Sequence, residues 1–167
     1  MSNELSLGPS ANSRPPGGAL AIRSATSQDI ASVLALWQAA SETPTITDTR
    51  DGLMRLLAAD DGALIITESD GALVGSLIAA WDGWRGSFYR LAVHPGSRRQ
   101  GIARALVREG ERRLRALGAV RLTAIVIDDD PVAMAFWKAA GYAKQKRRAR
   151  FVTPDGVART LTRDSAD

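Results

Sequence analysis

Apolar residues recur every three or four positions in four stretches of the chain, which predicts four amphipathic helices. The first begins at Ile30 and includes Trp37, and the second spans about residues 48–60. The third ends at Gly118, where glycine adopts a positive φ at little cost, and the fourth begins at Pro131. The apolar positions expected to face the core are Leu53, Met54, Leu56 and Leu57 in the second helix and Ile102, Leu106, Gly110, Leu114 and Leu117 in the third.

Short apolar runs between these helices predict β-strands. Residues 63–68 and 72–81 flank an Asp70-Gly71 turn, which favours an antiparallel hairpin. The order strand, two helices, three strands, helix, strand, helix, two strands predicts one α+β domain with a mixed sheet. The remaining strands are predicted at residues 19–23, 87–93, 120–127, 142–152 and 157–163, the third of these being buried.

The composition fits one globular domain. With 45% hydrophobic and 24% charged residues, the 167-residue chain is too apolar to be disordered, and no apolar run approaches the roughly 20 residues of a membrane span. Residues 1–18 are rich in Ser, Pro and Gly and predict a disordered leader, followed by the domain at 19–163 and a tail at 164–167. Because the chain has no cysteine and one histidine, we expect no disulfide and no metal site, and the lack of cysteine fits a cytoplasmic location. The short apolar runs lead us to expect no membrane partner.

The net charge of +4 combines two halves of opposite sign. Residues 24–84 contain two arginines against nine acidic residues, a net charge of −7, whereas residues 85–163 contain 18 basic against six acidic residues, a net charge of +12. The basic half favours an anionic partner, either a nucleic acid or a phosphate-bearing ligand, and it fits solvated helix faces equally well.

Residues 98–103, here termed the phosphate loop, connect the fourth strand to the third helix. The N–H groups at a helix N-terminus carry a partial positive charge and favour anions. The small side chains of Gly101 and Ala103 would leave space for a diphosphate, and Arg98 and Arg99 would attract it. The loop lacks the Gly-Lys-Ser/Thr of a Walker motif and the Gly-x-Gly-x-x-Gly of dinucleotide folds. Close packing of helix on sheet would also explain the small residues.

Two motifs around this loop resemble the GNAT superfamily of acetyl-CoA-dependent N-acetyltransferases. They are Leu91-Ala92-Val93-His94-Pro95 with Arg98-x-x-Gly101-x-Ala103, and Asp130-x-x-Ala133-x-x-Phe136-Trp137-x-x-x-Gly141-Tyr142. The likeness covers residues 19–162, and residues 81–87 are similar to a small bacterial subgroup. The resemblance implies about seven mostly antiparallel strands, a splay between strands four and five, and about four helices.

The resemblance also implies the reaction. Acetyl-CoA would be the co-substrate, and a primary amine of a small molecule or protein would attack it directly in a ternary complex. The Val93 N–H would stabilise the tetrahedral oxyanion, the strand before it would contact the pantetheine arm, and the phosphate loop would hold the pyrophosphate. The residues implied to bind acetyl-CoA are Leu91, Ala92, Val93, Arg98, Arg99, Gln100, Gly101, Ile102, Ala103, Asp130, Ala133, Phe136 and Trp137.

Two positions depart from the pattern of the resembling family. Many members have a tyrosine at the position of Trp137 that protonates the leaving thiolate, and an indole cannot act as that acid. A thiol with a pKa of about 8.5 still leaves readily as an anion near neutrality. Asp130 replaces a common asparagine and can still cap a helix.

A base or a water chain must take the proton of the attacking amine. The carboxylates considered are those of Asp82, Glu68 and Asp128, and Asp82 is chosen because Trp81 and Trp84 would raise its pKa by desolvation. A structural role for Asp82 as a turn residue is the alternative.

Aromatic residues near the same turn supply the acceptor site in this hypothesis. Trp81 and Trp84 would bind the acceptor by cation-π contact, and Tyr89 would join the catalytic groups; core packing and rim packing are the respective alternatives. His94 is interpreted as part of the loop that ends the strand.

Three other functions stay open at this stage. A ribosomal-protein-type N-terminal acetyltransferase is suggested by residues 147–156, and a non-catalytic CoA sensor by the missing tyrosine. A nucleic-acid-binding module is a third, although we favour no nucleic-acid partner; a homodimer is left open. The arginines that would form the basic helix face are Arg104, Arg108, Arg112, Arg113 and Arg115.

Overall fold

A computed structural model describes residues 20–40, 45–127 and 130–146. A short 3₁₀ turn at Pro95–Ser97 separates the strand Gly86–Val93 from the helix Ile102–Ala116. In chain order the elements are β1 (Ala21–Ser24), α1 (Ile30–Ala40), α2 (Arg50–Ala59), β2 (Leu64–Ser69), β3 (Ala72–Trp81), β4 (Gly86–Val93), α3 (Ile102–Ala116), β5 (Leu122–Ala124) and α4 (Pro131–Ala139).

This order confirms the predicted succession of elements from the first strand to the fourth helix. The predicted leader and tail lie outside the described residues. Residues 142–146 are irregular where the sixth strand was expected to begin, and the rest of that hairpin also lies outside the described ranges.

The five described strands form one mixed sheet in the order β1-β2-β3-β4-β5. The β1–β2, β2–β3 and β3–β4 pairs are antiparallel, and β5 runs parallel to β4 because α3 forms the crossover between them. The β2–β3 turn has positive φ at both Asp70 (51°) and Gly71 (78°), the geometry that the Asp-Gly pair predicts for a tight hairpin.

The sheet separates two hydrophobic clusters. On one face, α1 and α2 pack through residues such as Val33, Trp37 and Leu53 against Leu64 and Ile66 of β2. On the other face, α3 and α4 pack against the sheet, and their cluster includes Phe88, Leu106, Leu114 and Trp137. Close contact of α3 with the sheet requires Gly110, where an added Cβ would lie 2.7 Å from Cε1 of Phe88.

Three details differ from the predicted core. Met54 is 40% exposed, because Leu53, Leu56 and Leu57 share one helix face while Met54 lies about 100° further round. Leu117 is 45% exposed at the end of α3. The buried strand predicted at residues 120–127 is only Leu122–Ala124 and is half-buried, with Val120 94% exposed, since β4 pairs with β5 over three residues only.

No helix in the described part of the chain is both long enough and apolar enough to cross a membrane.

Candidate active site

The β4 strand contains a β-bulge that changes the direction of its later N–H groups. The β3–β4 register passes from Ile78 opposite Tyr89 to Ser76 opposite Ala92, so one extra residue is accommodated in β4. Arg90 takes the strained position with φ +50°, in the left-handed region that few side chains adopt readily.

The bulge reverses the direction in which the N–H groups at the end of β4 point. The His94 N–H donates to Val74 O of β3 at 2.9 Å. Because successive N–H groups along a strand point to opposite sides, the Val93 N–H points away from β3, toward the β5 side. Without the extra residue this alternation would be reversed. The geometry therefore agrees with the predicted role of Val93 as an oxyanion donor, which stays a prediction.

An open slot lies between β4 and β5 beyond Phe88. The parallel pairing joins Gly86, Ser87 and Phe88 to Leu122–Ala124, and the following contact, from the Ile125 N–H to Phe88 O, is stretched to 3.5 Å. Within the described residues, β5 does not pair with the end of β4. The expected splay between strands four and five is therefore present, and the half-buried Leu91, Ala92 and Val93 border it.

The phosphate loop presents an open helix N-terminus. Gly101 is the N-cap of α3 with φ +80°, and among the described residues no side chain caps the helix. The first intrahelical acceptor is Gly101 O, which bonds the Ala105 N–H at 3.0 Å, so the N–H groups of Ile102 and Ala103 are left for another acceptor. A Cβ at Gly101 would meet no described atom within 4 Å. This arrangement suits an anion such as a diphosphate.

The arginines of the phosphate loop are placed differently from each other. Arg98 turns toward α1, where its guanidinium donates to Ala40 O at 3.1 Å and to Val93 O at 3.5 Å. Arg99 has φ +63° and, like Gln100, is exposed. The Arg98 side chain therefore links α1 to the end of β4, and its predicted contact with the pyrophosphate stays untested.

Trp137 belongs to an aromatic cluster rather than to a free surface. It is 8% exposed and stacks on Phe88 with ring centroids 5.8 Å apart, while Phe136 and Tyr142 meet it edge-on at 5.5 and 4.9 Å. The Tyr142 hydroxyl donates to Glu111 at 2.8 Å, and burial together with this bond raises the pKa of the Tyr142 phenol.

Asp130 and Ala133 lie in the first turn of α4. The Asp130 carboxylate accepts bonds from the N–H groups of Val132 (3.0 Å) and Ala133 (2.9 Å), which confirms that it caps the helix. Its predicted contact with acetyl-CoA, and those of Ala133 and Phe136, remain predictions.

Asp82 lies in the turn that precedes β4, at the opposite end of the strand from Val93. Its carboxylate accepts bonds from the N–H groups of Arg85 (2.6 Å) and Trp84 (2.8 Å), and these bonds lower its pKa. The expected rise of this pKa by desolvation is wrong, because the group is exposed. The turn precedes Gly86, and seven residues of extended strand to Val93 correspond to roughly 20 Å. The structure does not bring Asp82 and Val93 together. The contacts of Asp82 fit the alternative of a turn residue, and its role as a base is left to experiment.

The predicted aromatic residues separate onto different surfaces. Trp81 is half-buried against the cluster on the α3 face, and Trp84 is 64% exposed with the Arg85 guanidinium 3.6 Å from its ring centroid. Tyr89 follows Phe88 on the strand and therefore faces α1 and α2, beside the beginning of the slot. Of the residues predicted to act through their side chains in catalysis or acceptor binding, Tyr89 is the nearest along the chain to the start of the slot, and its role stays a prediction.

The other proton acceptors considered are occupied or lie outside the described residues. Glu68 forms an ion pair with Arg23 at the β1–β2 edge. His94 accepts a bond from the Gly96 N–H at 3.2 Å, as expected of a residue that ends the strand. Asp128 is not among the described residues. Within the described ranges, no group of three or more His, Cys, Asp or Glu side chains could hold a metal ion.

The predicted basic face of α3 is only partly exposed. Arg113 is partly buried, pairs with Asp60 and donates to Ala79 O at 2.9 Å. Arg112 pairs with Glu109, and Arg115 lies 3.9 Å from Glu111. Much of the basic face is therefore neutralised by neighbouring carboxylates.

Comparison with known proteins identifies the fold and the general activity. Residues 31–142 match the model of the acetyltransferase (GNAT) family. The chain belongs to this family. A Yersinia enterocolitica protein named acetyltransferase is 32% identical over 124 residues, which cover 74% of this chain and 88% of that protein. The family membership that the two sequence motifs suggested is confirmed, and this GNAT protein is an acetyltransferase.

Solved structures support the GNAT fold. The crystal structure of Ard1 from Thermoplasma volcanium has a TM-score of 0.68 at 23% identity, covering 75% of this chain and 83% of that one. An aminoglycoside N-acetyltransferase in complex with CoA has a TM-score of 0.69 at 18% identity, covering 84% and 99%. At these identities the likeness concerns the fold alone, and it confirms the predicted fold class.

The bulge residue Arg90 was not singled out by the sequence motifs. A positive φ is expected at Gly, Asn or Asp, and an arginine in a strand gives no local signal of a bulge. The sequence offers only a weak sign of the bulge, namely that Arg90 is the one charged residue in β4.

Proposed function

We propose that this protein transfers the acetyl group of acetyl-CoA to a primary amine, on a small molecule or a protein, by direct attack in a ternary complex. The observation that carries the proposal is the uncapped N-terminus of α3, opened by Gly101, directly beyond the splayed end of β4. A protein of the same fold, the aminoglycoside N-acetyltransferase, has been crystallised with CoA.

The proposed cofactor contacts follow from this arrangement. The N–H groups of the phosphate loop would bind the pyrophosphate, and the edge formed by Leu91, Ala92 and Val93 would pair with the pantetheine amides. This edge is available because β5 does not continue along it in the described structure. The Val93 N–H, aimed at the slot, would then stabilise the oxyanion, a contribution of about 3–4 kcal/mol for a preorganised donor.

The acceptor must lose a proton. Deprotonation of an amine with a pKa of about 10.4 costs about 4.6 kcal/mol at pH 7, so an accessible base or water chain is needed. Tyr89 lies at the slot on the α1–α2 face, and we assign to it the positioning of the amine or of a water that takes its proton. Trp137 is buried as a packing residue, so the thiolate leaves without help from that position.

The charge of the first half of the chain does not by itself define the acceptor. Asp29 pairs with Arg23, Asp48 with Arg90 and Asp60 with Arg113. These carboxylates are neutralised within the fold, which weakens the argument that they attract an ammonium group. The acceptor therefore has to be identified by assaying different classes of amine, because the charge of residues 24–84 does not indicate which one is used.

A thiol-release assay tests the proposal. The protein is incubated with acetyl-CoA and with polyamines, aminoglycosides, amino acids or peptide N-termini, and free CoA is measured against a Gly101→Glu control. Release that depends on one amine class and is lost in the control supports the proposal. Binding of acetyl-CoA without release from any amine would instead indicate a CoA sensor, and stabilisation by an oligonucleotide alone would indicate a nucleic-acid-binding module.

A further inference from the structure

The side chain of Arg90 connects the bulge of β4 to the segment between α1 and α2. Its Nε donates to Oδ1 of Asp48 at 2.9 Å, an Nη2 contact completes the ion pair with Asp48, and Nη2 donates to Oγ1 of Thr45 at 3.1 Å. The guanidinium carbon lies 5.3 Å from the ring centroid of Trp37 in α1. One side chain therefore contacts both the segment between α1 and α2 and α1 itself.

The ion pair is sheltered from water. The side chains of Arg90 and Asp48 are 20% and 10% exposed. The Asp48 carboxylate also accepts bonds from the Thr45 N–H (2.7 Å) and hydroxyl (3.0 Å), so its oxygens are well satisfied. Removing one partner from such a pair leaves the other charge buried and uncompensated, which is far more damaging than loss of an exposed pair.

Arg90 adopts a backbone conformation that its side chain does not favour by itself. A residue with a Cβ pays about 1–2 kcal/mol to adopt a left-handed conformation, and this cost must be met by contacts elsewhere. The Asp48 and Thr45 bonds are the polar contacts that the described structure gives to this side chain. The bulge in turn sets the direction of the Val93 N–H, three residues later.

We propose that Arg90 is a positioning residue whose ion pair with Asp48 holds the β4 bulge, so that the Val93 N–H faces the thioester and residues 45–49 stay fixed beside the slot. This inference rests on the proposed function, because the thioester is that of acetyl-CoA. The inference concerns the Arg90–Asp48 pair, whereas the affinity for acetyl-CoA should depend mainly on the phosphate loop.

Acetyl-CoA labelled with ¹³C at the acetyl carbonyl provides a probe that needs no acceptor. A hydrogen bond to the carbonyl polarises it and moves its ¹³C resonance downfield of free acetyl-CoA. In Arg90→Ala we expect roughly half or more of this displacement to be lost while Kd stays within about threefold of wild type, because the oxyanion donor moves and the phosphate loop does not. Arg112→Ala, which removes an exposed pair with Glu109, is the matched control and should change neither quantity.

Two further variants separate the side chain from the backbone. Glycine adopts a positive φ freely, so Arg90→Gly should retain more of the carbonyl displacement than Arg90→Ala, and both should speed hydrogen exchange in residues 45–49. Asp48→Asn, which keeps the shape of the partner, should lose part of the displacement even where Arg90→Ala does not fold. With an amine accepted by the wild type, kcat should fall about 10- to 100-fold in Arg90→Ala.

The outcomes distinguish the two proposals. Wild-type protein that does not bind acetyl-CoA would overturn the proposed function and this inference with it. If folded Arg90→Ala or Asp48→Asn binds acetyl-CoA and its carbonyl resonance is the same as in the wild-type complex, the positioning role alone is overturned. Equal losses in Arg90→Ala and Arg90→Gly would overturn the assignment to the backbone conformation of residue 90.

Discussion

Substitution of Gly101 tests the acetyl-CoA site with a control at the other end of the same helix. Gly101 precedes α3 with φ +80° and Gly118 follows it with φ +99°. At both positions an added Cβ would meet no described atom within 4 Å. Replacing either glycine by alanine should therefore have a similar cost in backbone strain, and only Gly101 belongs to the phosphate loop.

The size of each effect follows from this comparison. A Cβ in the left-handed region costs about 1–2 kcal/mol, and for a domain of this size each kcal/mol lowers Tm by about 2–4 °C. Gly101→Ala and Gly118→Ala should therefore both lower Tm by about 2–8 °C. Only Gly101→Ala places a methyl group where the pyrophosphate would lie, so we expect its Kd for acetyl-CoA to rise roughly tenfold, equivalent to about 1.4 kcal/mol. Gly101→Glu adds a carboxylate, and its Kd should rise about 100-fold or more.

Isothermal titration with acetyl-CoA, preceded by circular dichroism to confirm folding, measures these differences. Gly118→Ala should bind acetyl-CoA within about twofold of wild type, since it carries the strain without touching the site. A folded Gly101→Glu with wild-type affinity would refute the assignment of the phosphate loop. An equal loss of affinity in Gly118→Ala would show that strain in α3, rather than contact with the ligand, is responsible.

Substitutions at three further positions test other parts of the structure. Trp137→Tyr should keep or raise turnover, because the indole supplies no acid, whereas Trp137→Ala should lower the free energy of unfolding by about 3–5 kcal/mol in urea titrations; a folded but inactive tyrosine variant would contradict this. Asp82→Asn should leave kcat unchanged and keep the turn, and a fall of about 100-fold with loss of the acidic limb of the pH profile would instead identify Asp82 as the base. Thr67 is fully buried with a hydroxyl that has no hydrogen-bond partner among the described residues, so Thr67→Val should raise the free energy of unfolding by about 1 kcal/mol, and a lower urea midpoint would be inconsistent with an unpaired hydroxyl.

Features set by neighbouring residues could be predicted from the sequence. The Asp70-Gly71 turn, the Gly118 helix end and the Asp130 cap each depend on backbone conformations or bonds within a few residues. The phosphate loop is similarly local, because the glycine and the start of the helix are adjacent in the chain. Its motif and that of α4 together identified the family before any tertiary contact was known.

Features set by strand register could not be predicted in the same way. The bulge at Arg90 depends on how β4 aligns with β3, and its ion pair joins residues 42 positions apart in the sequence. The Asp82 prediction failed on the sign of the pKa change for a related reason. Two tryptophans beside it in sequence suggested desolvation, whereas the folded turn exposes the carboxylate and gives it two N–H donors.

The opposite charges of the two halves of the chain are explained in part by contacts within the fold. Arg90 and Arg113, from the basic half, are partly buried and pair with Asp48 and Asp60 from the acidic half. These pairs join β4 and α3 to the segments on either side of α2, so part of the charge that suggested an external anion is neutralised within the domain. Under the proposed function, recognition of acetyl-CoA would then depend chiefly on the N–H groups of the phosphate loop, whose direction is fixed by α3 and whose access is kept open by Gly101.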